Sequence, residues 1–265
     1  MITQEQVEEF LKCKDDPVYF INNYVKFDHF KDGLTGIKLY EPQEKLINKY
    51  HTNRFNILRA PRHLMGKSST AIFYILHQII FENYENVGIF SHHRNPSIHL
   101  LDRLKVSYEN LPKWMQHGVI INNRTTFELE NFSRVIAGSM SPSTARGQSF
   151  SLILLDEIGN NSYTKSEEFF DSVFPTIAAG KVTKVIINST KDYYEEKESY
   201  FDKIWKDSED GKNSFVRTTL KWHENPGLNQ EWKERTIANI GIDTWNQQFE
   251  CEFEETLDTT PQEVL

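Results

Sequence analysis

The amino-acid sequence predicts an α/β fold, in which helices flank a mostly parallel central sheet and a small helical lid lies beside it. Two observations predict this class. Short apolar runs typical of buried strands alternate along the chain with longer segments whose apolar residues recur at helical spacing. Polar side chains follow several of these runs directly, and parallel sheets place their ligands at such strand ends.

The predicted strands are short and rich in β-branched residues. A continuous apolar run predicts a strand that is buried on both faces, and alternation predicts a strand with one solvated face. Buried strands are expected at 55–58, 86–91, 151–155 and 184–190, a hairpin at 125–129 and 134–137, and an edge strand at 214–222.

Helix signals separate these strands. Thr3 and Gln6 form a capping box for a first helix that ends near Lys12. Pro17 occupies the first turn of a second helix. Further helices are expected at 43–50, from 69 to at least 76, at 96–111 and at 231–253, whereas 27–37 is expected to be a loop.

Length and composition indicate a globular protein of one large domain or two small ones, and we expect a single domain. The chain has 265 residues, of which 38% are hydrophobic and 26% charged, so it can bury a sizeable core. We expect a core over about 39–222, a lid built from about 1–38 and 223–253, and an acidic tail at 254–265. No apolar run approaches the length of a membrane span, and the first residues do not form a signal peptide.

Cysteine content and net charge indicate the cellular compartment and the kind of surface the protein presents. The two cysteines, Cys13 and Cys251, form neither a disulfide framework nor a zinc pattern, which favours a reducing cytosol. The formal charge of −8 argues against a dedicated DNA-binding surface, although it leaves room for a local basic patch.

Residues 61–68, Pro-Arg-His-Leu-Met-Gly-Lys-Ser, resemble a phosphate-binding loop in which Pro61 replaces the first glycine. The loop follows a predicted strand and opens a predicted helix, so backbone N–H groups and a helix N-terminus would face a phosphate. Lys67 is expected to reach the β- and γ-phosphates of a nucleotide, and the Ser68 hydroxyl to bind Mg²⁺. A chance Gly-Lys-Ser is the alternative, because the pattern is incomplete.

The acidic partner that such a loop needs lies at 151–157. Four apolar residues there predict a fully buried strand that ends in Asp156 and Glu157. Asp156 is expected to hold Mg²⁺ and Glu157 to act as the base for the attacking water. A solvated Asp-Glu turn is the alternative, but the two motifs in this order favour hydrolytic nucleotide binding.

The strand order predicts a subclass. We expect at least one strand, that of Ile89, between the phosphate loop and the acidic strand, and the strand of Ile186 follows the acidic strand. This arrangement indicates a phosphate-loop NTPase of the additional-strand, catalytic-glutamate (ASCE) type.

Several stretches in order resemble the N-terminal ATPase domain of the large terminase of tailed bacteriophages, the DNA-packaging motor subunit, and most closely its myophage-type members. The resembling stretches are 39–43, 62–68, 87–92 with 101–103, 141–147, 188–190 and 245–253. Two departures stand out. The loop holds one residue more between Arg62 and Gly66 than the family pattern, and the coupling motif is Asn-Ser-Thr instead of Thr-Thr-Thr.

The resemblance implies roles for the matched residues. Arg62 would contact the γ-phosphate within its own subunit, and Arg146 would act as a finger toward the nucleotide of a neighbouring subunit. Ser189 and Thr190 would couple the γ-phosphate to the lid. The implied catalytic residues are Glu157, Arg62 and Arg146, the metal ligands are Ser68 and Asp156, and the nucleotide-binding residues are Gln43, Pro61, Arg62, His63, Leu64, Met65, Gly66, Lys67, Ser68 and Ser69.

Plainer alternatives exist for three of these residues. Gln43, which would read the adenine edge, could be an exposed helix glutamine. Arg146 could be a surface arginine beside a turn. The hydroxyls at the end of the Ile186 strand could be satisfied by bonds to the backbone. His92, His93 and His99 lack metal-ligand spacing and are expected at the surface or in packing.

The resemblance implies an ATP-hydrolysing, Mg²⁺-dependent motor that drives double-stranded DNA into the procapsid in the host cell cytoplasm. Its implied partners are the portal, the procapsid, the terminase small subunit and DNA, with no membrane. A homo-oligomeric ring on the portal and a monomer in isolation are expected. The family's C-terminal nuclease domain and its activity are expected to be absent from this chain.

Two other functions remain open. A helicase-type nucleic-acid translocase would be expected to continue Asp-Glu-Ala-Asp, whereas this chain continues Ile158-Gly159. A non-hydrolytic, nucleotide-gated docking module would bind nucleotide without turnover.

Overall fold

The computed structural model describes residues 3–29, 33–145, 147–180, 182–190 and 199–250. The helices are α1 (Gln4–Asp15), α2 (Pro17–Tyr24), α3 (Glu41–Thr52), α4 (Lys67–Phe81), α5 (Arg94–Glu109), α6 (Pro142–Ala145), α7 (Tyr163–Ala179), α8 (Tyr200–Glu209), α9 (Gln230–Ile240) and α10 (Ile242–Trp245). Short 3-10 turns occupy Lys113–Met115, Ile158–Asn160 and Trp222–Glu224, and a π-helical turn occupies Asn246–Glu250.

The strands form a large sheet and a small hairpin. They are β1 (Lys26–His29), β2 (Gly33–Gly36), β3 (Phe55–Arg59), β4 (Asn86–Ser91), β5 (Val119–Asn122), β6 (Thr126–Leu129), β7 (Arg134–Ser139), β8 (Leu152–Asp156), β9 (Lys184–Ser189) and β10 (Val216–Thr219). Among the described residues the large sheet has the order β10-β3-β9-β8-β4-β7-β6-β5. From β10 to β7 neighbouring strands are parallel, and β6 and β5 continue the sheet antiparallel. The predicted mostly parallel α/β sheet is therefore confirmed.

The order of the strands decides which residues meet. The register pairs Arg59 of β3 with Ser189 of β9, and Asn188 of β9 with Asp156 of β8. Because the three strands are parallel, their carboxyl ends lie side by side at one edge of the sheet. The phosphate loop, the acidic pair and the end of β9 leave the sheet at this edge.

One prediction about the sheet is wrong in detail. A strand does separate β3 from the acidic strand β8, but it is β9, with Ile186, and not the Ile89 strand β4, which pairs with the other side of β8. Periodicity identifies strands but not their order, because the order depends on where each crossover connection returns to the sheet.

Other element predictions had mixed outcomes. The hairpin of β6 and β7, the edge strand β10 and the helical character of the region from 231 to 250 are confirmed. The expected loop at 27–37 is wrong, since β1 and β2 pair as a hairpin there. Their residues are mostly exposed and carry no apolar alternation, so the sequence gives no strand signal. The predicted acidic tail lies outside the described residues.

Two buried clusters cover the two faces of the sheet. Alternate residues of β8 belong to different clusters, Leu152 and Leu154 to one, Ile153 and Leu155 to the other, as the period of two in a strand requires. The first cluster includes side chains of α1 to α5, and the second includes side chains of α7 and α8. No described helix is long and apolar enough to cross a bilayer.

A buried histidine fastens α1 to α4. His77 of α4 lies 3.0 Å from the carbonyl oxygen of Cys13 and 3.1 Å from that of Lys14, both through Nε2. Since carbonyls only accept, Nε2 carries the proton, and Nδ1 accepts a bond from the Gln78 amide at 3.1 Å. Burial is the main cause that lowers the pKa of His77, to about 4.

This histidine predicts an acid-dependent loss of stability. An unfolded histidine has a pKa near 6.5, so the unfolded state binds a proton that folded His77 rejects. The contribution is fully present above about pH 6.5 and is lost as the pH falls toward 4, by on the order of 2–3 kcal/mol. Urea unfolding of wild type and His77→Gln between pH 4.5 and 7 measures the free energy of unfolding at each pH. The variant should lack the part of the pH dependence that His77 contributes.

The matched control is His99→Gln, because His99 is exposed on α5. It should keep the wild-type pH dependence. Equal slopes for wild type and His77→Gln would contradict the assignment of a buried neutral imidazole.

Candidate nucleotide-binding site

The loop that joins β3 to α4 contains two left-handed residues. His63 has φ 60° and Gly66 has φ 57°. Glycine adopts this conformation without strain, whereas histidine does so at some cost. Beyond these turns, Lys67 begins α4 directly after Gly66.

Lys67 lies buried at the centre of the site, with 5% of its surface exposed. Its Nζ is 2.7 Å from Oε1 of Glu157 and donates to Oγ1 of Thr190 at 2.7 Å. A buried ammonium is costly unless it is paired and hydrogen-bonded, and these two partners come from the ends of β8 and β9. The structure therefore joins the phosphate loop, the acidic strand and the coupling strand through one side chain.

Ser68 and Asp156 form a second contact between the loop and β8. Ser68 Oγ donates to Asp156, with oxygen distances of 2.8 and 3.0 Å. Burial raises the pKa of Asp156 to about 6, and the neighbouring Glu157 carboxylate contributes to the rise. Lys67 and the hydrogen bond from Ser68 oppose it without cancelling it. The acidic end of β8 is thus a place where additional positive charge would be favourable.

These residues fit a magnesium ion. A serine hydroxyl and a carboxylate are oxygen ligands, which Mg²⁺ prefers, and a cation beside the buried Asp156 would favour its ionised form. No group of three or more histidine, cysteine or acidic side chains gathers around a possible ion within the described part of the chain. An ion here would take its other ligands from phosphate and water, as Mg²⁺ commonly does.

Glu157 is held by the backbone at the end of β9. It has φ 56°, and its N–H donates to the carbonyl of Asn188 at 2.8 Å. The N–H of Thr190 donates to Glu157 Oε2 at 3.3 Å. A positive φ is uncommon for glutamate, and such a backbone conformation is typical of a constrained functional site. The conformation directs this carboxylate away from the line of β8 and toward Lys67.

The end of β9 contributes more than its predicted hydroxyls. Ser189 Oγ accepts from the N–H of Gly159 at 3.0 Å and donates to the carbonyl of Thr190 at 2.9 Å, which is the backbone-satisfied alternative considered for this strand end. Thr190 contacts Lys67 instead. Asn188 accepts a bond from the Tyr50 hydroxyl at 3.1 Å. Its Nδ2 donates to the carbonyl of Lys67 at 3.4 Å, at the N-terminus of α4.

Tyr50 and His92 are site residues without a predicted role, and Asn188 was predicted only as part of the motif at 188–190. The position of Asn188 after an apolar run, and that of His92 after β4, could have pointed to both. His92 follows β4, and burial lowers the pKa of its ring, with a further lowering by His93 and Arg62 and an opposing effect of Glu157. His92 therefore lies among the charged residues of the site.

Gln43 lies against the phosphate loop. Its Nε2 donates to the carbonyl of Met65 at 3.0 Å, and its Oε1 accepts from the N–H of Tyr40 at 2.9 Å. An amide offers two donors and two acceptor lone pairs, so one of each remains for a ligand. Its expected contact with an adenine edge stays a prediction.

The remaining predicted nucleotide-binding and catalytic residues lie in different surroundings. Ser69 accepts a bond from Arg103 at 2.7 Å and so is tied to α5. Met65 is fully buried in the larger cluster, while His63 is exposed. Arg146, the expected finger, lies outside the described residues.

The lysine contact predicts a cost for removing the Thr190 hydroxyl. Thr190→Val keeps the shape but leaves the buried ammonium with one acceptor fewer, so it should lower the unfolding free energy of the nucleotide-free protein by about 1–3 kcal/mol. Urea unfolding measures the change. Thr219→Val, at the exposed end of β10, is the matched control and should stay within about 0.5 kcal/mol. Equal stability of the two variants would contradict the role of Thr190.

Comparisons with known proteins identify the family and the fold. The sequence matches the family described as "Terminase large subunit, T4likevirus-type, N-terminal" over residues 57–260. The structure is similar to that of the HK97 bacteriophage large terminase, with 15% identity, a TM-score of 0.71, and coverage of 90% of this chain and 55% of that chain. It is also similar to the large terminase ATPase domain of Thermus phage P74-26, with 16% identity, a TM-score of 0.62, and coverage of 82% and 94%.

A third relative was solved with a nucleotide. This large terminase, from another thermophilic bacteriophage and in complex with ATP-gamma-S, shares 13% identity and a TM-score of 0.61, with coverage of 81% of this chain and 53% of that chain. The present chain therefore spans about half the length of that protein and of the HK97 protein. The shared fold is the phosphate-loop, ASCE-type fold that the sequence predicted. Because the family match covers most of the chain, the chain belongs to the T4likevirus-type terminase large subunit family, in its N-terminal region.

Proposed function

We propose that this chain binds ATP with Mg²⁺ and hydrolyses it as the ATPase domain of a DNA-packaging motor. One observation carries the proposal: Lys67 bridges Glu157 and Thr190 beside the Ser68–Asp156 pair, at the carboxyl edge of a parallel sheet. Family membership supports it, as do the structures of a thermophilic-phage large terminase in complex with ATP-gamma-S and with ADP.

Two carboxylates, those of Asp156 and Glu157, lie beside the Lys67 ammonium before nucleotide binds. Ser68 and Asp156 would hold Mg²⁺, which would supply positive charge against the charge that develops on the phosphates. Lys67 would leave Glu157 for the phosphates, because their negative charge competes with the carboxylate for its ammonium.

Release from Lys67 makes Glu157 available as a base. The carboxylate takes a proton from a water molecule whose oxygen attacks the γ-phosphorus. The bond from that phosphorus to the β–γ bridging oxygen breaks, which yields ADP and phosphate. The N–H of Thr190 and the fixed backbone of Glu157 keep the carboxylate in place during this exchange.

The remaining roles are proposed from the family. Gln43 reads adenine, Arg62 contacts the γ-phosphate, Arg146 reaches a neighbouring subunit, and Thr190 with Ser189 senses the γ-phosphate. Thr190 has structural support, since it shares Lys67 with Glu157.

The proposed setting also follows from the family. The partners are the portal, the procapsid, the small subunit and double-stranded DNA, in a ring on the portal within the host cytoplasm. The division into a core over 39–222 and a lid from both chain ends is part of this proposal.

Removing the base separates binding from turnover. Glu157→Gln should lower the rate of phosphate release from ATP by about 10²–10⁴-fold, because an amide cannot accept the proton. ATP affinity should be equal or higher, since Lys67 loses its carboxylate competitor. Steady-state phosphate release and equilibrium ATP binding measure the two effects, with Glu168→Gln as the matched control, because Glu168 is exposed on α7.

The result also distinguishes the alternatives. Unchanged turnover in Glu157→Gln would remove Glu157 as the base. Wild-type protein that binds ATP without turnover, even with DNA and portal present, would favour the nucleotide-gated docking module.

Action of Arg146 across subunits predicts a concentration dependence. If each site needs an arginine from its neighbour, ATPase activity should rise more than linearly with protein concentration, and Arg146→Ala should lose the excess. The rate measured over a hundredfold range of protein, about 0.1 to 10 times the assembly midpoint, tests this. A strictly proportional rate for wild type would contradict activation in trans.

A further inference from the structure

The C-terminal segment of the described chain contains an aromatic cluster, separate from the two buried clusters on the sheet, in which Trp222 and Trp245 are buried and the other members half-buried. Trp222, Trp232, Trp245 and Phe249 form it, and we call it the tryptophan cluster. Ring centroids of the three tryptophans lie 5.4 to 5.9 Å apart, and Phe249 lies 4.9 Å from Trp245. Such aromatic contacts give a rigid unit from few residues.

Glu250 closes this cluster. Its carboxylate accepts bonds from the indole N–H groups of Trp222 at 3.2 Å and Trp245 at 2.8 Å, and from Lys233 Nζ at 2.5 Å. Burial opposes ionisation of Glu250, but these donors outweigh it, and its pKa lies below the usual value. The carboxylate thus fixes the π-helical turn Asn246–Glu250 against the indole rings.

Two contacts join this unit to the phosphate loop. Asn225, which directly follows the turn that carries Trp222, donates its Nδ2 to the carbonyl of Leu64 at 2.7 Å. The carbonyl of Gln248, inside the π-helical turn, accepts from the N–H of Arg62 at 3.2 Å. The Asn225 amide is itself oriented, because its Oδ1 accepts from the N–H of Gly227 at 2.9 Å.

These contacts hold residues 62–65 of the loop, which lie outside regular secondary structure. Residues 62–65 form turns between β3 and α4, and His63 is held at φ 60°. The carbonyls of Leu64 and Met65 both bind side-chain amides, from Asn225 and Gln43. Carbonyls held in this way cannot turn toward an anion, and a loop that is already ordered loses less entropy when a ligand binds.

We propose that the tryptophan cluster holds the phosphate loop in its binding conformation, with Asn225 and Gln248 as positioning residues for the nucleotide phosphates. The inference rests on the proposed nucleotide binding at this loop. It extends the site to the C-terminal segment, which carries no phosphate-binding motif of its own.

Three variants test the proposal. Asn225→Asp keeps the acceptor for Gly227 but replaces the donor to Leu64 with a carboxylate oxygen, and Asn225→Ala removes the donor without adding charge. Asn229→Asp is the matched control, because Asn229 caps α9 through Trp232 and aspartate caps equally well. It adds the same charge in the same segment without a described contact to the loop.

Two measurements are made on each protein. Hydrogen exchange of the amides at 62–66, read by mass spectrometry without nucleotide, should rise at least fivefold in both Asn225 variants and stay at the wild-type rate in Asn229→Asp. Equilibrium binding of ATP with Mg²⁺ should weaken about fivefold to tenfold in both Asn225 variants and not in the control. Amides of β3 and β8 report whether the fold as a whole is unchanged.

The outcomes are distinguishable. Loop exchange at the wild-type rate in both Asn225 variants would overturn the proposal. Faster loop exchange with unchanged ATP affinity would also overturn it, because the contact would then anchor the loop without positioning it. Wild-type protein that fails to bind ATP would overturn the proposed function, while the exchange data would still show whether Asn225 holds the loop.

Discussion

The buried ammonium of Lys67 is the constraint on which the site depends. A charge with 5% exposure must be compensated, and only the ends of β8 and β9 supply partners among the described residues, through Glu157 and Thr190. Those strand ends lie together because β9 pairs with both β3 and β8. The topology of the sheet, the conformation of the loop and the choice of polar residues at the strand ends are therefore linked by one side chain.

The same arrangement explains why the site suits a nucleotide with a metal ion. Two carboxylates share one ammonium, and the pKa of Asp156 is raised to about 6 by burial and by Glu157. Positive charge from a metal ion relieves this imbalance, and phosphate groups compete for Lys67. The structure thus holds Glu157, the proposed base, in an ion pair, and in the proposed mechanism this carboxylate stays paired until a phosphate takes the lysine.

Sequence patterns predicted the parts of the site that local chemistry determines. Gly66, Lys67 and Ser68 at a strand–helix junction, and Asp156 with Glu157 after an apolar strand, carry their own signals. The insertion of β9 between β3 and β8 and the contacts of Asn188 depend on crossover connections that periodicity does not encode. Asn225 meets the loop across 161 positions of sequence, and a single asparagine before a glycine-containing turn carries no signal for such a contact.

A structure of the protein with Mg²⁺ and a non-hydrolysable ATP analogue tests the central claim most directly. The account predicts that Lys67 Nζ leaves Glu157, now 2.7 Å away, and contacts the β- and γ-phosphates, while Ser68 and Asp156 face the metal ion. Glu157 should then lie within hydrogen-bond reach of a water molecule in line with the γ-phosphorus. Bound nucleotide with the Lys67–Glu157 pair intact would contradict the account, because the phosphates would then lie outside the site described here.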